Sequence, residues 1–519
     1  MKTDVEKHTY LGVTIGPIYR TLADARKVRH LWGASFLFSQ LMKEIIAQVD
    51  DPAVGQPFFK RLLPRYQPDA TDPTGVGLFP DRLFLRVKEG KETAATNALN
   101  MCLQNAVNAL GGDINKALDK YLQTYAVKAE IAEGENYVLA LNHLLDGLEL
   151  AQRAGGEVTF ELGSYLDGIL PIFYGTAFNE QKKFETVTEI SAKDLAPVVA
   201  DYDKFIEDYR RRIGQENEPD FFKKLMEWVA EEGAHEPQKK ALLGKLKQYH
   251  KYVAIVHADG DNIGKVLSQI GKDDQLLETF SQHLFAFAKA AARKIDDWGA
   301  MPIYAGGDDL LFLAPVCVGQ ETIFQLTADL ARIFDQEVTQ NLGLSLAEPP
   351  TLSFGINIIY HKFPLSEGVQ ESHRQLVEVA KKTTGKNCTA FRIQKHSGRD
   401  IEGIVRHGAK KEAADVGQTL LAQIPTLDDE KLFSSVIYTL QTFEHLLVPI
   451  VKDANRLEYF FHNHFNESIH RQEPAKQRIA SIRQLLHATA LRHEKPEQAL
   501  HSVYAMLRFI QFIQADFQA

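Results

Sequence analysis

Two short acidic segments constrain this chain more than anything else in it. His257-Ala-Asp259-Gly-Asp261-Asn262 ends a β-branched apolar run, Tyr252-Val-Ala-Ile-Val256. Gly306-Gly307-Asp308-Asp309 joins two further runs, Met301–Tyr304 and Leu310–Leu313. Such runs predict buried strands, and the glycine pair between two of them predicts a tight hairpin. Between the segments, Leu277, Phe280, Leu284, Phe287, Ala291 and Ile295 share one face of a helix. Beyond the hairpin the pattern gives a helix over about 321–340, a strand at Thr351–Tyr360, a helix over about 368–384 and a strand at Thr389–Ile393. Strand, helix, hairpin, helix, strand is the ferredoxin-like order of palm domains. In that order the first strand lies beside the hairpin, which brings Asp259 next to Asp308 and Asp309.

Either acidic segment alone is an ordinary turn. Together, each at a strand end, they read as a site for two divalent ions, Mg²⁺ or Mn²⁺, since hard cations select carboxylate and phosphate oxygens. Asp259, Asp308 and Asp309 are the expected catalytic carboxylates. Asp261 is expected to join them as a metal ligand. Gly260, Asn262 and Gly264 open a helix whose N–H groups can meet phosphate. Gly306 and Gly307 clear room for a nucleotide. Lys381, Lys382 and Lys386 can reach a triphosphate, although cations near a helix C-terminus are favourable without any ligand. Ser353 either touches the nucleotide or is a core serine. Gly111-Gly-Asp113 repeats the signature, but helical patterns flank it, so a helix end accounts for it. His462-Asn-His464 reads as a solvated helix face.

The rest of the chain sets the frame. A strand at Tyr10–Ile15 precedes a long helix reaching Ile46; residues 91–155 read as mostly helical, and 156–180 as strands broken by Gly and Pro. The expected class is α+β, with two ferredoxin-like palm domains joined by a helical connector and followed by an α-helical C-terminal domain. The boundaries expected are 1–180, 181–249, 250–410 (the catalytic palm) and 411–519. With 59 basic against 68 acidic residues the net charge is −9, so any nucleic acid would be held in a local patch or by partner subunits. Cys102, Cys317 and Cys388 are too scattered for a cysteine zinc module, and no zinc is expected. No apolar stretch is long enough to span a membrane, and nothing resembles a secretory signal, so a cytoplasmic location without membrane contact is expected.

With these residues in place, the chain resembles the large polymerase/cyclase subunit of type III CRISPR effector complexes, Cmr branch. HKYVAIVHADGDNIGK, YAGGDDLLFLAP, LSFGINIIYHKFPL and AKKTTGKN carry the likeness, together with IGPIYRTLADARKVRHLWGASFLFSQL near the N-terminus. The resemblance implies a nucleotidyltransferase in antiviral defence that binds ATP as substrate. It would make 3′–5′ cyclic oligoadenylates when the complex, loaded with guide RNA, captures target RNA. The chain has no His-Asp dipeptide, so the HD nuclease of many members is not expected. S-adenosylmethionine as a different acceptor stays open. A diguanylate cyclase would continue its hairpin with Glu-Phe, where Asp309-Leu310 stands. A non-catalytic scaffold would have no reason to keep four mutually repelling carboxylates.

Overall fold

The computed structural model describes residues 6–23, 25–65, 72–73, 75–110, 123–153, 185–199, 201–213, 220–231, 236–343, 346–395, 398, 400–407, 430–465, 470, 473, 475–492 and 495–517. Two β-sheets organise it, and each has the ferredoxin-like strand order.

The first sheet contains β1 (Lys7–Gly16), β2 (Phe59–Leu63), β3 (Arg82–Val87) and β4 (Gln123–Ala132) in the order β2-β3-β1-β4, all antiparallel. Helix α1 (Ile18–Ala23) and the long α2 (Val28–Asp50) connect β1 to β2. Leu31, Trp32, Phe38, Leu41 and Ile45 of α2 are buried, the 3.6-residue stripe that seats a helix on a sheet. Helices α3 (Ala95–Ala109) and α4 (Tyr137–Arg153) follow β3 and β4. The mostly helical reading of 91–155 is corrected by β4. Tyr125, Val127, Ala129 and Ile131 alternate with the exposed Ala126, Lys128 and Glu130, a period-two strand pattern that the helical reading passed over. Residues 111–122 and 154–184, which contain the Gly111-Gly-Asp113 segment and the expected 156–180 strands, lie outside the described residues.

The described part of 185–250 is helical: α5 (Val187–Ser191), α6 (Tyr202–Ile213), α7 (Phe221–Glu231) and α8 (Glu236–Lys245). A buried carboxylate ties this connector to the second sheet. Asp194 accepts hydrogen bonds from the Gly319 N–H (2.7 Å) and the Tyr249 hydroxyl (3.2 Å), and pairs with Lys245 at 3.1 Å.

The second sheet runs β12-β11-β10-β5-β7-β6. β5 (Tyr252–Asp261), β6 (Met301–Gly306), β7 (Asp309–Pro315) and β10 (Thr351–Tyr360) make the ferredoxin-like core. A two-residue-strand hairpin, β8 (Cys317–Val318) and β9 (Glu321–Thr322), leads into α11 (Ile323–Phe334). Helices α9 (Ile263–Ile270) and α10 (Asp274–Asp297) link β5 to β6. α10 starts where Asp273 accepts from the N–H groups of Gln275 and Leu276, and it buries the predicted apolar face against the sheet. α12 (Leu365–Arg374) continues into a π-helical turn, Gln375–Ala380, rather than running straight to 384 as expected. β11 (Cys388–Gln394) is parallel to β10, and an additional strand, β12 (Ile401–Arg406), extends the sheet.

The C-terminal part is helical: α13 (Glu430–Thr442), α14 (Glu444–Leu447), α15 (Ala454–His464), α16 (Ala475–Arg492) and α17 (Pro496–Gln514). α17 lies against β12, where a Cβ on Gly403 would sit 2.5 Å from Ala505 Cβ, and its Phe509 is edge-on to Phe324 of α11 at 4.8 Å. His464 stacks on Phe460 at 4.0 Å and bonds its carbonyl, in keeping with a packing role.

The two sheets meet at β6. The Ala305 N–H donates to the Gly77 carbonyl at 2.9 Å, and the Ser35 hydroxyl donates to the Ile303 carbonyl at 3.0 Å. Among the described residues no helix is long and apolar enough to cross a membrane.

Candidate active site

Strand register builds the site. Ala258 of β5 faces Leu310 of β7, and Gly306 pairs with Asp309 across the hairpin, so the end of β5 abuts the hairpin tip. Gly307 has φ +70°, the left-handed value that the first position of a two-residue hairpin turn requires and that favours glycine. Gly306 is needed for another reason: a Cβ there would collide with the Tyr304 ring and hydroxyl. A Cβ on Gly260 would lie 2.6 Å from Asp308 Oδ2, so this glycine lets the hairpin carboxylate close onto β5. Sequence reasoning assigned Gly306 and Gly307 to nucleotide access and Gly260 to a phosphate-facing helix start; crowding within the chain already requires glycine at 306 and 260.

Asp259 and Asp261, two apart on β5, project from one face of the strand. Their environments differ. Asp259 is 40% exposed, whereas Asp261 is fully buried. Asp261 Oδ2 accepts from Ser353 Oγ (2.7 Å), Thr351 Oγ1 (2.8 Å) and the Asn387 N–H (3.1 Å). Burial works against its charge, but Lys381 and the Ser353 and Thr351 hydroxyls hold its carboxyl below the usual range. The Asn387 donor sits in a strained loop, since Gly385, Lys386 and Asn387 all have positive φ.

Lys381 leaves the π-helical turn and points its ammonium at the end of β5. Nζ lies 2.7 Å from the Asp259 carbonyl, 2.7 Å from the Gly260 carbonyl, 2.9 Å from Asp259 Oδ2 and 3.0 Å from Asp261 Oδ1. The remaining predicted residues sit further out. Ser353 is fully buried and bonded to Asp261, so of its two readings the geometry matches the core serine. Asn262 adopts φ 62° just before α9, and Gly264 is exposed in the first turn of that helix. Lys382 is exposed and Lys386 half-buried.

The hairpin carboxylates are electrostatically frustrated. Withdrawal from water, then repulsion by Asp259, pushes Asp308 up to about 7. Withdrawal from water also raises Asp309 well above the carboxylate range, with Asp308, Asp259 and Asp81 adding to it. Asp309 stands at the solvent edge of the turn, so repulsion between carboxylates is the component that a cation can relieve. Asp81 of the first sheet and Tyr304 also belong to this environment, and burial, Asp309 and Asp81 raise the Tyr304 hydroxyl. Sequence reasoning missed Asp81, Tyr304, Thr351 and Asn387. Of these, Thr351 alone had a signal, its place opposite Asp261 in the antiparallel pair.

Fold and site together define a palm-type protein with an acidic hairpin at its working edge. Residues 252–390 match the Cas10/Cmr2 second palm domain, and residues 10–120 match the CRISPR-associated protein Cmr2 N-terminal domain. The chain belongs to the Cas10/Cmr2 family, the large subunits of type III CRISPR complexes, in its Cmr branch. It is similar to the CRISPR system Cmr subunit Cmr2 of Pyrococcus furiosus, at 28% identity over 172 residues. That alignment spans 28% of this chain and 19% of the curated relative's length. Among solved structures it is similar to type III-B Cmr-beta bound to cognate target RNA, with TM-score 0.55 at 11% identity, covering 89% of this chain and 78% of that one. It is also similar to a Csm1–Csm4 cassette in complex with cA4, with TM-score 0.52 at 11% identity, covering 98% and 70%. At these identities the structural likeness establishes the fold.

Proposed function

We propose that this chain is the nucleotidyl-transferring subunit of a type III CRISPR antiviral complex and makes cyclic oligoadenylates from ATP once the complex captures target RNA. One observation carries the reading: Asp259 at the end of β5 and Asp308-Asp309 at the hairpin tip converge, and both hairpin carboxyls are pushed up, first by withdrawal from water and then by like charge. Three hard oxygen donors that repel one another fit a divalent cation. Asp259, Asp308 and Asp309 would hold Mg²⁺ or Mn²⁺. Bound ions would activate a 3′-hydroxyl and offset charge on departing pyrophosphate.

The protein's own groups do the rest. Gly260 and Gly307 let the backbone close around the carboxylates, and the Ile263 and Gly264 N–H groups opening α9 would serve as phosphate donors. Lys382 and Lys386 are the cations placed to meet a triphosphate. The cA4 complex of a similarly folded cassette supports the product class. Net charge −9 supports RNA capture through the other subunits and the guide RNA.

The test is mass spectrometry of products from the assembled, guide-loaded complex with ATP and Mg²⁺ or Mn²⁺, with and without target RNA. GTP and S-adenosylmethionine run in parallel. Cyclic oligoadenylates appearing only with target RNA, and lost in Asp308→Ala/Asp309→Ala with assembly intact, are the expected result. Unchanged synthesis by the double variant overturns the site. A cyclic diguanylate or an adenylate–S-adenosylmethionine conjugate overturns the product assignment.

A further inference from the structure

If Asp259, Asp308 and Asp309 hold the ions, two charged groups at the same strand end still need a role. Asp261 was expected to be a fourth metal ligand and Lys381 a triphosphate contact. Their surroundings suit neither. An ammonium has three N–H groups, and Lys381 meets four oxygens within 3.0 Å, all from Asp259, Gly260 and Asp261. Two protons go to the carbonyls and the third is shared between the carboxylates, which leaves none for a phosphate. Asp261 in turn has no exposed surface, and its Oδ2 already accepts three hydrogen bonds. Its Oδ1 is turned to the Lys381 ammonium at 3.0 Å.

The scaffold enforces this arrangement. A Cβ on Gly355 would lie 2.8 Å from Leu376 Cα, so the π-helical turn is seated directly on β10. The Lys381 N–H donates to the Leu376 carbonyl at 2.9 Å, which fixes where the side chain starts. On the other side, the left-handed residues Lys386 and Asn387 hold the Asn387 N–H against Asp261.

We propose that Asp261 and Lys381 are positioning residues, a sealed ion pair that clamps the end of β5 and sets the Asp259 carboxylate at the edge of the cleft. Neither ligates a divalent ion and neither contacts the triphosphate. This rests on the ion-site reading above. Removing the pair lets the Asp259 carboxylate swing, a misplacement that lowers turnover without removing a binding contact.

The experiment counts Mn²⁺ bound to the full chain by electron paramagnetic resonance and measures kcat and the ATP KM in the assembled complex. The variants are Asp259→Asn, Asp261→Asn, Lys381→Met and the Asp261→Asn/Lys381→Met double. Asp259→Asn should bind fewer ions. Asp261→Asn and Lys381→Met should keep the wild-type number, lose roughly 10–100-fold in kcat and hold the ATP KM within about threefold. The double variant should be no worse than the worse single, because the two side chains act as a unit. Loss of an ion in Asp261→Asn makes Asp261 a ligand and overturns the proposal. A raised ATP KM with kcat retained in Lys381→Met makes Lys381 a phosphate contact and also overturns it. If Lys381→Met does not fold, Lys381→Arg decides. A guanidinium suits a phosphate but not this cage, so wild-type kinetics in Lys381→Arg overturn the proposal and a kcat loss supports it. A wild-type chain that binds no Mn²⁺ overturns the ion-site reading, a result separate from any of these.

Discussion

Neutralising Asp308 should change how the stability of the metal-free chain responds to pH. An unfolded aspartate titrates near 3.8, and in the fold Asp308 titrates near 7. Its charge is therefore disfavoured in the folded state. The resulting penalty is absent below about pH 4 and complete once the pH has risen through 7. Integrated from pH 5 to 7.5, the extra proton occupancy of the folded group amounts to about 1.9 pK units. At 1.36 kcal/mol per pK unit this is at most about 2.5 kcal/mol, and roughly half that after screening by the nearby solvent. For a domain of ordinary size the shift is about 3–8 °C in Tm. Buried His257, lowered to about 3, and His361 and His407, lowered to about 4, act oppositely, because they make the fold more stable as pH rises toward 6.5. The informative quantity is therefore the difference between wild type and Asp308→Asn, measured by differential scanning fluorimetry in EDTA across this range. Asp308→Asn should gain on the wild type steadily from pH 5 to 7.5. Millimolar Mg²⁺ should remove most of that gain, because an ion that binds the charged carboxylates stabilises the wild-type fold. Parallel pH profiles for the two proteins in EDTA would refute the claim that burial and the Asp259 charge raise Asp308 in the fold.

Three further outcomes follow from the geometry. Gly307→Ala forces a Cβ into the left-handed turn position and should lower stability by about 1 kcal/mol, read as a Tm loss. Gly355→Ala drives a methyl into the π-helical turn and should destabilise by roughly 1–3 kcal/mol, with hydrogen exchange accelerated at residues 375–381. Asp194→Ala strips the partner from Lys245 and the acceptor from the Gly319 N–H and should destabilise by roughly 3–5 kcal/mol. Limited proteolysis should then cut the 185–250 connector first.

The second sheet was legible because its strands are buried on both faces and therefore written in Val, Ile and Leu, as Val253–Val256 are. β4 is half-exposed and only one of its ten residues is buried, so its alternating Tyr125, Val127, Ala129 and Ile131 are a weaker mark than a run of buried Val and Ile. The acidic pair at the hairpin and Asp259 could be placed from strand order alone. The division of labour between Asp259 and Asp261 could not, because it depends on two hydroxyls across the strand and a lysine more than a hundred residues away. Asp81 was beyond reach for the same reason, since it enters the environment of the hairpin from the other sheet.

The contact between Gly77 and Ala305 has a consequence for handling the protein. β6 is the outermost strand of its sheet, and the segment around Gly77 caps its open hydrogen-bonding side. A fragment that begins at residue 250 would bare that side next to the apolar β6–β7 hairpin, and bare strand edges recruit other strands. Such a fragment would self-associate along β6, with the acidic turn at one end of the adhesive strip. The N-terminal sheet thus serves the catalytic one as a solubility guard, and both belong in any fragment meant to stay monomeric.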